Sequence, residues 1–174
     1  MDERRIIERC QNNDIRAFQM IYERYGQALL HTAQRLLKRR QDAEDAVQVT
    51  FVKLYRGIHR YHFGAPFSTY LFRILINVCY DMLRKSKRAG EESLENREPS
   101  ETTAFHEKME IEHAVESLPP KMKACFVLFA VEQFKMKEIA EILRITEGGV
   151  KANIHHARIR LRKMLAGEGE EVGA

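Results

Sequence analysis

Apolar residues recur three and four positions apart along almost the whole chain, and this spacing limits the fold more than any other feature of the sequence. It is the period of an α-helix that buries one face. We find no convincing run of alternating apolar and polar residues with hairpin turn signals, so the sequence predicts no β-strand. The chain is therefore predicted to be all-α.

The first half of the chain is predicted to contain four helices, the last running from about Phe67 to Arg88. Asp14 and Asp42 are expected to cap the second and third helices, because a carboxylate accepts hydrogen bonds from the free amides at a helix start. Gly64 and Pro66 mark a loop before the fourth. The residues expected to face the core are Phe18, Ile21, Tyr22, Tyr25, Leu29, Leu30, Ala33 and Leu36, then Ala46, Val47, Thr50, Phe51 and Leu54, then Leu71, Ile74, Leu75, Val78 and Met82.

The composition changes abruptly after the basic run that ends at Arg88. Residues 89–103 are acidic and polar and contain almost no large apolar side chain. Such a segment cannot bury enough apolar surface to offset the entropy lost on ordering, so it is predicted to be a flexible linker. The chain then divides into two small helical domains, residues 1–88 and residues 104–174. In the second domain, the helix after Pro119 and Pro120 is predicted to face the core with an apolar stripe of Met122, Phe126, Phe129 and Ala130.

Charge and cysteine content exclude several classes of protein. The formal net charge is only +4, so attraction to a polyanion must come from local clusters of basic residues. Cys10, Cys79 and Cys125 lie far apart and without CxxC spacing, which favours reduced, buried thiols over a zinc or redox site. No apolar run approaches the roughly 20 residues that span a bilayer, and the first residues lack a signal-peptide core. A soluble cytoplasmic protein is expected.

Catalytic signatures are also missing from the sequence. It contains no glycine-rich phosphate loop followed by GK[ST], no HExxH and no paired cysteines. The neighbours His155 and His156 cannot both aim at one metal from a helix, because adjacent side chains point about 100° apart. We therefore expect no enzyme activity, no metal and no cofactor.

Residues 137–165 predict two helices separated by a short turn at residues 144–146, with Thr146 as the N-cap of the second. This geometry is that of a helix-turn-helix, in which the second helix lies in the DNA major groove. A solvated amphipathic helix is the alternative, but the polar face has almost no acidic residues, and Gly148 and Gly149 lie at the helix start, where anions are attracted. The apolar face is predicted to be Val150, Ile154, Ala157, Leu161 and Met164, and the basic face Lys151, His155, Arg158 and Arg162.

Three segments together resemble the ECF (extracytoplasmic function) group of the sigma-70 family, bacterial factors that bind core RNA polymerase and direct it to promoters. Residues 116–165, from ESLPP through KEIAEIL and GGVK, are similar to the family's region 4. DAEDAVQVTFVKLY, residues 42–55, resembles the polymerase-binding helix of region 2. FSTYLFRILINVCYDMLRKSKR, residues 67–88, resembles its promoter-melting helix.

The resemblance implies two sets of contacts in the first domain. Asp42, Asp45, Gln48 and Phe51 match the positions that contact core polymerase, although Phe51 is equally compatible with core packing. Residues 61–67 and Asn77 match a pocket for a base flipped out of the −10 element, unless Asn77 is a buried structural amide. The residues implied in −10 binding are Tyr61, Phe67, Tyr70, Arg73, Asn77, Arg84, Lys85 and Arg88.

In the second domain the resemblance implies readout of the −35 element by the recognition helix. The family's usual glycine in the preceding turn is Arg144 here, so either the turn tolerates arginine or its geometry differs. Asn153 and His156 replace typical basic residues, which implies a different −35 preference. The residues implied in −35 binding are Thr146, Gly148, Lys151, Ala152, His155, His156 and Arg158.

Together these features predict a transcription initiation factor with core RNA polymerase and promoter DNA as partners. The resemblance further implies an anti-sigma factor that holds the two domains inactive. A conventional operator-binding regulator would explain the helix-turn-helix but not the first domain, and a scaffold protein would not need the basic face.

Overall fold

The computed structural model describes residues 2–90 and 103–166, and its second stretch includes side chains from residue 110 onward. Every regular element in these two stretches is a helix, which confirms the predicted fold class. The predicted linker, apart from residues 89, 90 and 103, lies outside the described residues, and so does the tail beyond residue 166.

The first helical unit consists of α1 to α4 and one 3₁₀ helix, and the second helical unit consists of α5 to α8. The elements of the first unit are α1 (Glu3–Gln11), α2 (Ile15–Leu36), α3 (Arg40–Gly57), the 3₁₀ helix (Ile58–Arg60) and α4 (Phe67–Ala89). Those of the second unit are α5 (Thr103–Glu116), α6 (Pro120–Ala130), α7 (Met136–Leu143) and α8 (Glu147–Leu165).

Of the two predicted aspartate caps, one is confirmed and one is wrong. The Asp14 carboxylate accepts hydrogen bonds from the backbone amides of Arg16 at 2.9 Å and Ala17 at 3.4 Å. A hydrogen bond from Arg9, together with these amides, lowers the pKa of Asp14. Asp42 is not a cap, because α3 already begins at Arg40 and the carboxylate lies within the first helical turn. It still lies near the positive end of the helix dipole.

Helix α4 is the central packing element and is apolar on two sides. Its predicted inner residues Leu71, Leu75 and Val78 are buried, and α4 packs against both α2 and α3. A further side packs against α7 and against Phe134 just before that helix, and the ring centroids of Phe72 and Phe134 lie 4.9 Å apart. The periodicity predicted only the first of these faces. The additional buried residues of α4 include Phe72, Ile76 and Cys79.

The two helical units pack against each other through one continuous hydrophobic core. Helix α2 contacts α6, and the Thr32 hydroxyl donates a 2.8 Å hydrogen bond to the Glu132 carboxylate beyond α6. The core-facing stripe predicted for α6 is partly wrong, because the first unit covers a different side of α6. Ala130 is exposed and Met122, Phe126 and Phe129 are only half-buried. The buried residues are Lys123, Ala124, Cys125, Val127 and Leu128.

All three cysteines are buried, as predicted. Burial raises the pKa of Cys10 to about 11, that of Cys79 to about 12 and that of Cys125 to about 11. The thiolate is the reactive form of cysteine, so these thiols are poor nucleophiles at neutral pH.

The turn between α7 and α8 has a left-handed residue at its first position. Arg144 has φ 53° and ψ 50°, the conformation that glycine adopts most easily. The turn thus keeps glycine-type geometry although arginine occupies it. Thr146 then caps α8 as predicted, since its hydroxyl accepts a 3.0 Å hydrogen bond from the Gly149 amide.

Replacing Arg144 with glycine is expected to raise the free energy of unfolding by about 1 kcal/mol, because a left-handed backbone costs other residues roughly 1–2 kcal/mol. Urea denaturation measures the change. The matched control is Arg144→Ala, which removes the guanidinium but keeps the Cβ atom and should leave stability within about 0.5 kcal/mol of the parent. Equal gains from both variants would attribute the effect to the arginine side chain and contradict the backbone explanation.

Lys123 is a buried cation between the units, with only 7% of its surface exposed. Desolvation lowers the pKa of Lys123, the nearby Lys38 lowers it further, and Glu116 opposes the shift. The packed state therefore binds the Lys123 proton less tightly than the unfolded chain does. A protonated Lys123 opposes packing, and stability is regained as pH rises from the lowered pKa to the ordinary value.

Replacing Lys123 with methionine, which has a similar shape and no charge, is expected to raise the free energy of unfolding at pH 7 by about 1 kcal/mol. The advantage over the parent should shrink in alkaline buffer, where the lysine of the packed state loses its proton. Lys121→Met, at an exposed position of the same helix, should change little. A stability difference between K123M and the parent that stays constant from neutral to alkaline pH would contradict a role for the charge.

Candidate nucleic-acid interfaces

Helix α8 separates a buried apolar face from an exposed basic one. Val150, Ile154, Ala157 and Leu161 are buried and Met164 is half-buried, which confirms the predicted packing side. Part of this face packs on α5, where Ala157 and Leu161 join a small cluster with Ala114 and Leu118. The opposite side of α8 therefore faces solvent.

Every residue predicted for −35 contact is exposed. The Thr146 hydroxyl is engaged as the helix cap, so only its remaining hydrogen-bonding capacity is open to another partner. Arg158 lies with its guanidinium carbon 5.5 Å from the centre of the Phe129 ring, which holds that side chain against its own unit. The exposed residues are Thr146, Gly148, Lys151, Ala152, His155, His156 and Arg158.

On α4, Asn77 is exposed, so the alternative that it is a buried structural amide is wrong. Tyr70, Arg73 and Asn77 follow at helical spacing on one strip of α4. The Tyr70 hydroxyl donates a 3.1 Å hydrogen bond to the Gly57 carbonyl, and the Arg73 guanidinium carbon lies 5.7 Å from the Tyr70 ring centre. These contacts fix the ring and leave the amide of Asn77 in solvent.

The C-terminal part of α4 is strongly basic and exposed at Arg84, Lys85 and Arg88. Arg84 forms an ion pair with Asp81, and Lys53 of α3 lies 3.8 Å from the same carboxylate. Asp81 thus offsets part of the positive charge nearest the middle of the helix. Lys85, Lys87 and Arg88 follow toward the end of the helix and are exposed.

The loop after the 3₁₀ helix is closed by its own aromatic residues. Tyr61 is only 7% exposed and Phe67 only 2%, so neither presents a ring face to solvent. The Tyr61 hydroxyl donates a 2.6 Å hydrogen bond to the Ala65 carbonyl, and its ring meets those of Phe63 and Tyr70 with centroids 5.0 Å and 5.1 Å apart. Burial raises the pKa of Tyr61, with a smaller contribution from Glu3.

A polar cavity of about 470 Å³ lies between this loop and the end of α1. Asn77, which the sequence grouped with the loop, is not among the residues that line it. Gln11 and Asn12 of α1 and its C-cap were not predicted, since they lie about 50 positions before the loop. The lining residues are Gln11, Asn12, His59, Tyr61, His62 and Phe63.

Exposed apolar side chains lie along the seam between α2 and α3 and on the outer side of α3, and we name this surface the α2–α3 patch. Aromatic pairs join the two helices, with ring centroids 5.1 Å apart for Phe18 and Tyr55 and 5.0 Å apart for Tyr22 and Phe51. Tyr22 was predicted to be core and is in fact exposed. The exposed members of the patch are Ile15, Tyr22, Val49, Val52 and Tyr55.

The four residues predicted to contact polymerase lie along α3 beside this patch. Asp45 and Gln48 are exposed, whereas Asp42 and Phe51 are half-buried. Phe51 takes part both in the ring pair with Tyr22 and in the edge of the core. Core packing and polymerase contact, the two roles considered for Phe51, are therefore compatible. The apolar members of the α2–α3 patch were not predicted from the sequence, because exposed valine and tyrosine residues have the same helical spacing as core residues.

Within residues 2–90 and 103–166, no three His, Cys, Asp or Glu side chains lie close enough together to hold a metal ion. None of the helices in these stretches is both long and apolar enough to cross a bilayer.

Two family models match the chain in the order that the sequence predicted. Sigma-70 region 2 matches residues 21–89, and Sigma-70, region 4 matches residues 108–161. The first match contains α3, α4 and the loop between them, and the second contains α6, α7 and α8 as far as Leu161. Helix α1 lies before both matches.

Relatives and solved structures agree with these matches. The chain is 31% identical over 176 residues to ECF RNA polymerase sigma factor SigW of Bacillus subtilis, with 91% of this chain and 94% of that protein covered. It is 29% identical over 151 residues to ECF RNA polymerase sigma factor SigM of Mycobacterium tuberculosis, with 86% and 77% covered.

The fold is shared with CnrH in complex with the cytosolic domain of CnrY, at a TM-score of 0.76 and 24% identity over 96% of this chain and 99% of the other. It is also shared with the sigma factor RpoE in complex with the anti-sigma factor NepR from Bartonella quintana, at a TM-score of 0.72, 21% identity and coverage of 87% and 98%. With both sigma-70 regions matched in order, and with 31% identity to a relative of which it covers 94%, this chain belongs to the ECF RNA polymerase sigma factors, initiation factors that bind core RNA polymerase and promoter DNA.

Proposed function

We propose that α8 grips the −35 element as duplex DNA while α4 and the neighbouring loop capture and melt the −10 element. The observation that carries this proposal is the exposure of every predicted −35 residue on one side of α8, opposite an apolar face of which four residues are buried. No covalent chemistry is assigned to the chain. Its action is in the cytoplasm, with the polymerase it serves.

The N-terminal half of α8 supplies the −35 contacts. Lys151 is the cation closest to the helix start, where the amide dipoles also favour a phosphate or an acceptor on a base edge. Ala152 offers only a methyl group, which suits contact with a thymine methyl. Arg158 acts from further along the helix and lies against Phe129, so a phosphate contact suits its position better than base reading.

On α4, Asn77 is the residue best placed to read an exposed base edge, because its amide can both donate and accept hydrogen bonds and lies in solvent. The basic helix end at Arg84, Lys85 and Arg88 holds the phosphates of the separated strand. Tyr61 and Phe67, both buried, support the loop rather than stack on DNA. Unstacking a base costs a few kcal/mol, which these contacts together offset in part.

The α2–α3 patch is the surface that we assign to core polymerase. Exposed aromatic and aliphatic side chains beside Asp45 and Gln48 combine an apolar centre with a polar margin, the usual composition of a protein interface. The ring pairs between α2 and α3 hold the patch rigid before binding, which lowers the entropy lost on association.

The packing of the two units must open before both promoter elements are bound. Helix α4 packs on α7, and α7 packs on α8. Packed helices have axes about 10 Å apart, so the axes of α4 and α8 lie about 20 Å apart. The −35 and −10 positions lie about 25 base pairs apart, or about 85 Å at 3.4 Å per base pair. The closed arrangement therefore cannot span a promoter.

An anti-sigma factor that binds the closed arrangement would keep the chain from promoters. One structural neighbour is the sigma factor RpoE in complex with the anti-sigma factor NepR, and another is CnrH in complex with the cytosolic domain of CnrY. A conventional operator-binding regulator would bind DNA through α8 alone and would need no polymerase, so dependence on core polymerase separates the two functions.

Purified protein added to core polymerase is expected to start transcription at specific sites, which sequencing of transcript starts on fragmented genomic DNA identifies. Lys151→Glu should lower initiation at these promoters by roughly tenfold or more, because it places a negative charge at the DNA-facing helix start. Lys163→Glu makes the same charge change in the last turn of α8 and should retain most activity.

Two results would contradict this function. Specific DNA binding without any core-dependent initiation would favour the operator-binding regulator. Equal losses for K151E and K163E would show that total charge, rather than a defined face of α8, controls promoter use.

Val52→Glu is expected to weaken binding to core polymerase by roughly tenfold or more, because it places an unpaired charge in the centre of the α2–α3 patch. Biolayer interferometry with immobilised core polymerase measures the affinity. Val131→Glu is the matched control, since Val131 is 41% exposed and Val52 is 49% exposed, but Val131 lies at the end of α6. Equal affinities for V52E and the parent would remove the patch from the polymerase interface.

A further inference from the structure

We propose that Gln11, the last residue of α1, positions the loop after the 3₁₀ helix so that its cavity can take an unpaired base of the −10 strand. The inference rests on the proposed function, in which this loop takes part in −10 capture. It adds to that function a positioning residue, Gln11, from outside both matched sigma-70 regions.

The contact itself is specific. The side-chain amide Nε2 of Gln11 donates hydrogen bonds to the carbonyl of Ile58 at 3.2 Å and to the carbonyl of Tyr61 at 2.8 Å. A primary amide has two N–H groups, so both donors are used. The two carbonyls lie at the start and just beyond the end of the 3₁₀ helix, which makes Gln11 a tie across the point where the loop begins.

Helix α1 holds the loop at a second place. The guanidinium carbon of Arg4 lies 4.8 Å from the centre of the Phe63 ring, a cation–π distance. Phe63 has φ 57°, so its backbone is in the left-handed region that a bulky residue adopts only when its surroundings enforce it. The contacts from α1 and from Tyr61 supply that enforcement.

The loop held in this way forms one wall of the cavity of about 470 Å³, and the end of α1 forms another. Amide and imidazole groups of Asn12, His59 and His62 line it and can donate to or accept from a base edge. The half-buried ring of Phe63 supplies an aromatic surface for stacking. The chemical class that fits is an unpaired nucleobase in single-stranded DNA, and Gln11 acts on it only through the loop.

The test uses full-length protein in holoenzyme with core polymerase on a promoter mapped for the parent. The rate of −10 opening is followed by permanganate reactivity of unpaired thymines, and closed-complex affinity by gel shift at low temperature. Gln11→Met, which keeps the length and removes both donors, should slow opening roughly tenfold with closed-complex affinity unchanged. Gln11→Lys restores donors at similar reach and should recover part of the rate.

Gln19→Met makes the same substitution on α2, where the amide bonds only Glu23 within its own helix, and should open the promoter like the parent. Thermal unfolding of each variant accompanies the kinetics. If Gln11 only stabilised the fold, Q11M would lower the unfolding temperature and the closed-complex affinity together, and Q11K would open the promoter no faster than Q11M at matched stability.

The outcomes separate this inference from the proposed function. Opening by Q11M at the parent rate overturns the inference alone, and so does a loss of closed-complex affinity equal to the loss of opening. If the parent protein binds core polymerase but the resulting holoenzyme opens no promoter, the proposed function is overturned and the inference with it. A selective loss of opening in Q11M with partial recovery in Q11K supports both.

Discussion

The structure depends on α4 being apolar on more than one side. Leu71, Leu75 and Val78 pack toward the first unit, while Phe72 packs on Phe134 of the second. A helix buried on two sides keeps only a narrow exposed strip, and on α4 that strip carries Asn77. Helix α4 thus joins the two units and also presents the side chain assigned to the −10 strand. A movement of α4 against the second unit would therefore also move Asn77.

Local features of the sequence predicted local structure well. The period of three and four identified α8 and its buried face, and Asp14 and Thr146 cap their helices because a short polar side chain reaches its own backbone. The errors arise where distant elements decide the outcome. Tyr22 is exposed because its ring lies on the seam with α3, and the buried side of α6 is set by a neighbouring unit that no single helix pattern contains.

The candidate sites show the same difference between local features, which the sequence predicts, and contacts between distant elements, which it does not. Exposure on α8 was predictable because a helix with one packed face must present the other, but an aromatic loop has no such period. Tyr61 and Phe67 were expected at the DNA and are instead buried in the loop. The contact of Gln11 with Ile58 and Tyr61 joins residues 47 and 50 positions apart, and neither α1 nor the loop carries a local signal for it.

Two groups at the contact between the units oppose its packing, which suits the opening that we propose. Tyr80 of α4, near Cys125 of α6, has a buried hydroxyl with no hydrogen-bond partner among the described residues, which costs about 1–3 kcal/mol. Lys123 is desolvated beside Lys38. An open groove of about 390 Å³ lies beside Phe72 and Phe134 and is lined also by Arg24, Glu132 and Glu138. The unpartnered hydroxyl and the desolvated lysine lower the free energy gained when the units pack together. In the opening that we propose, promoter DNA, core polymerase or an inhibitory partner shifts the balance by binding one arrangement better than the other.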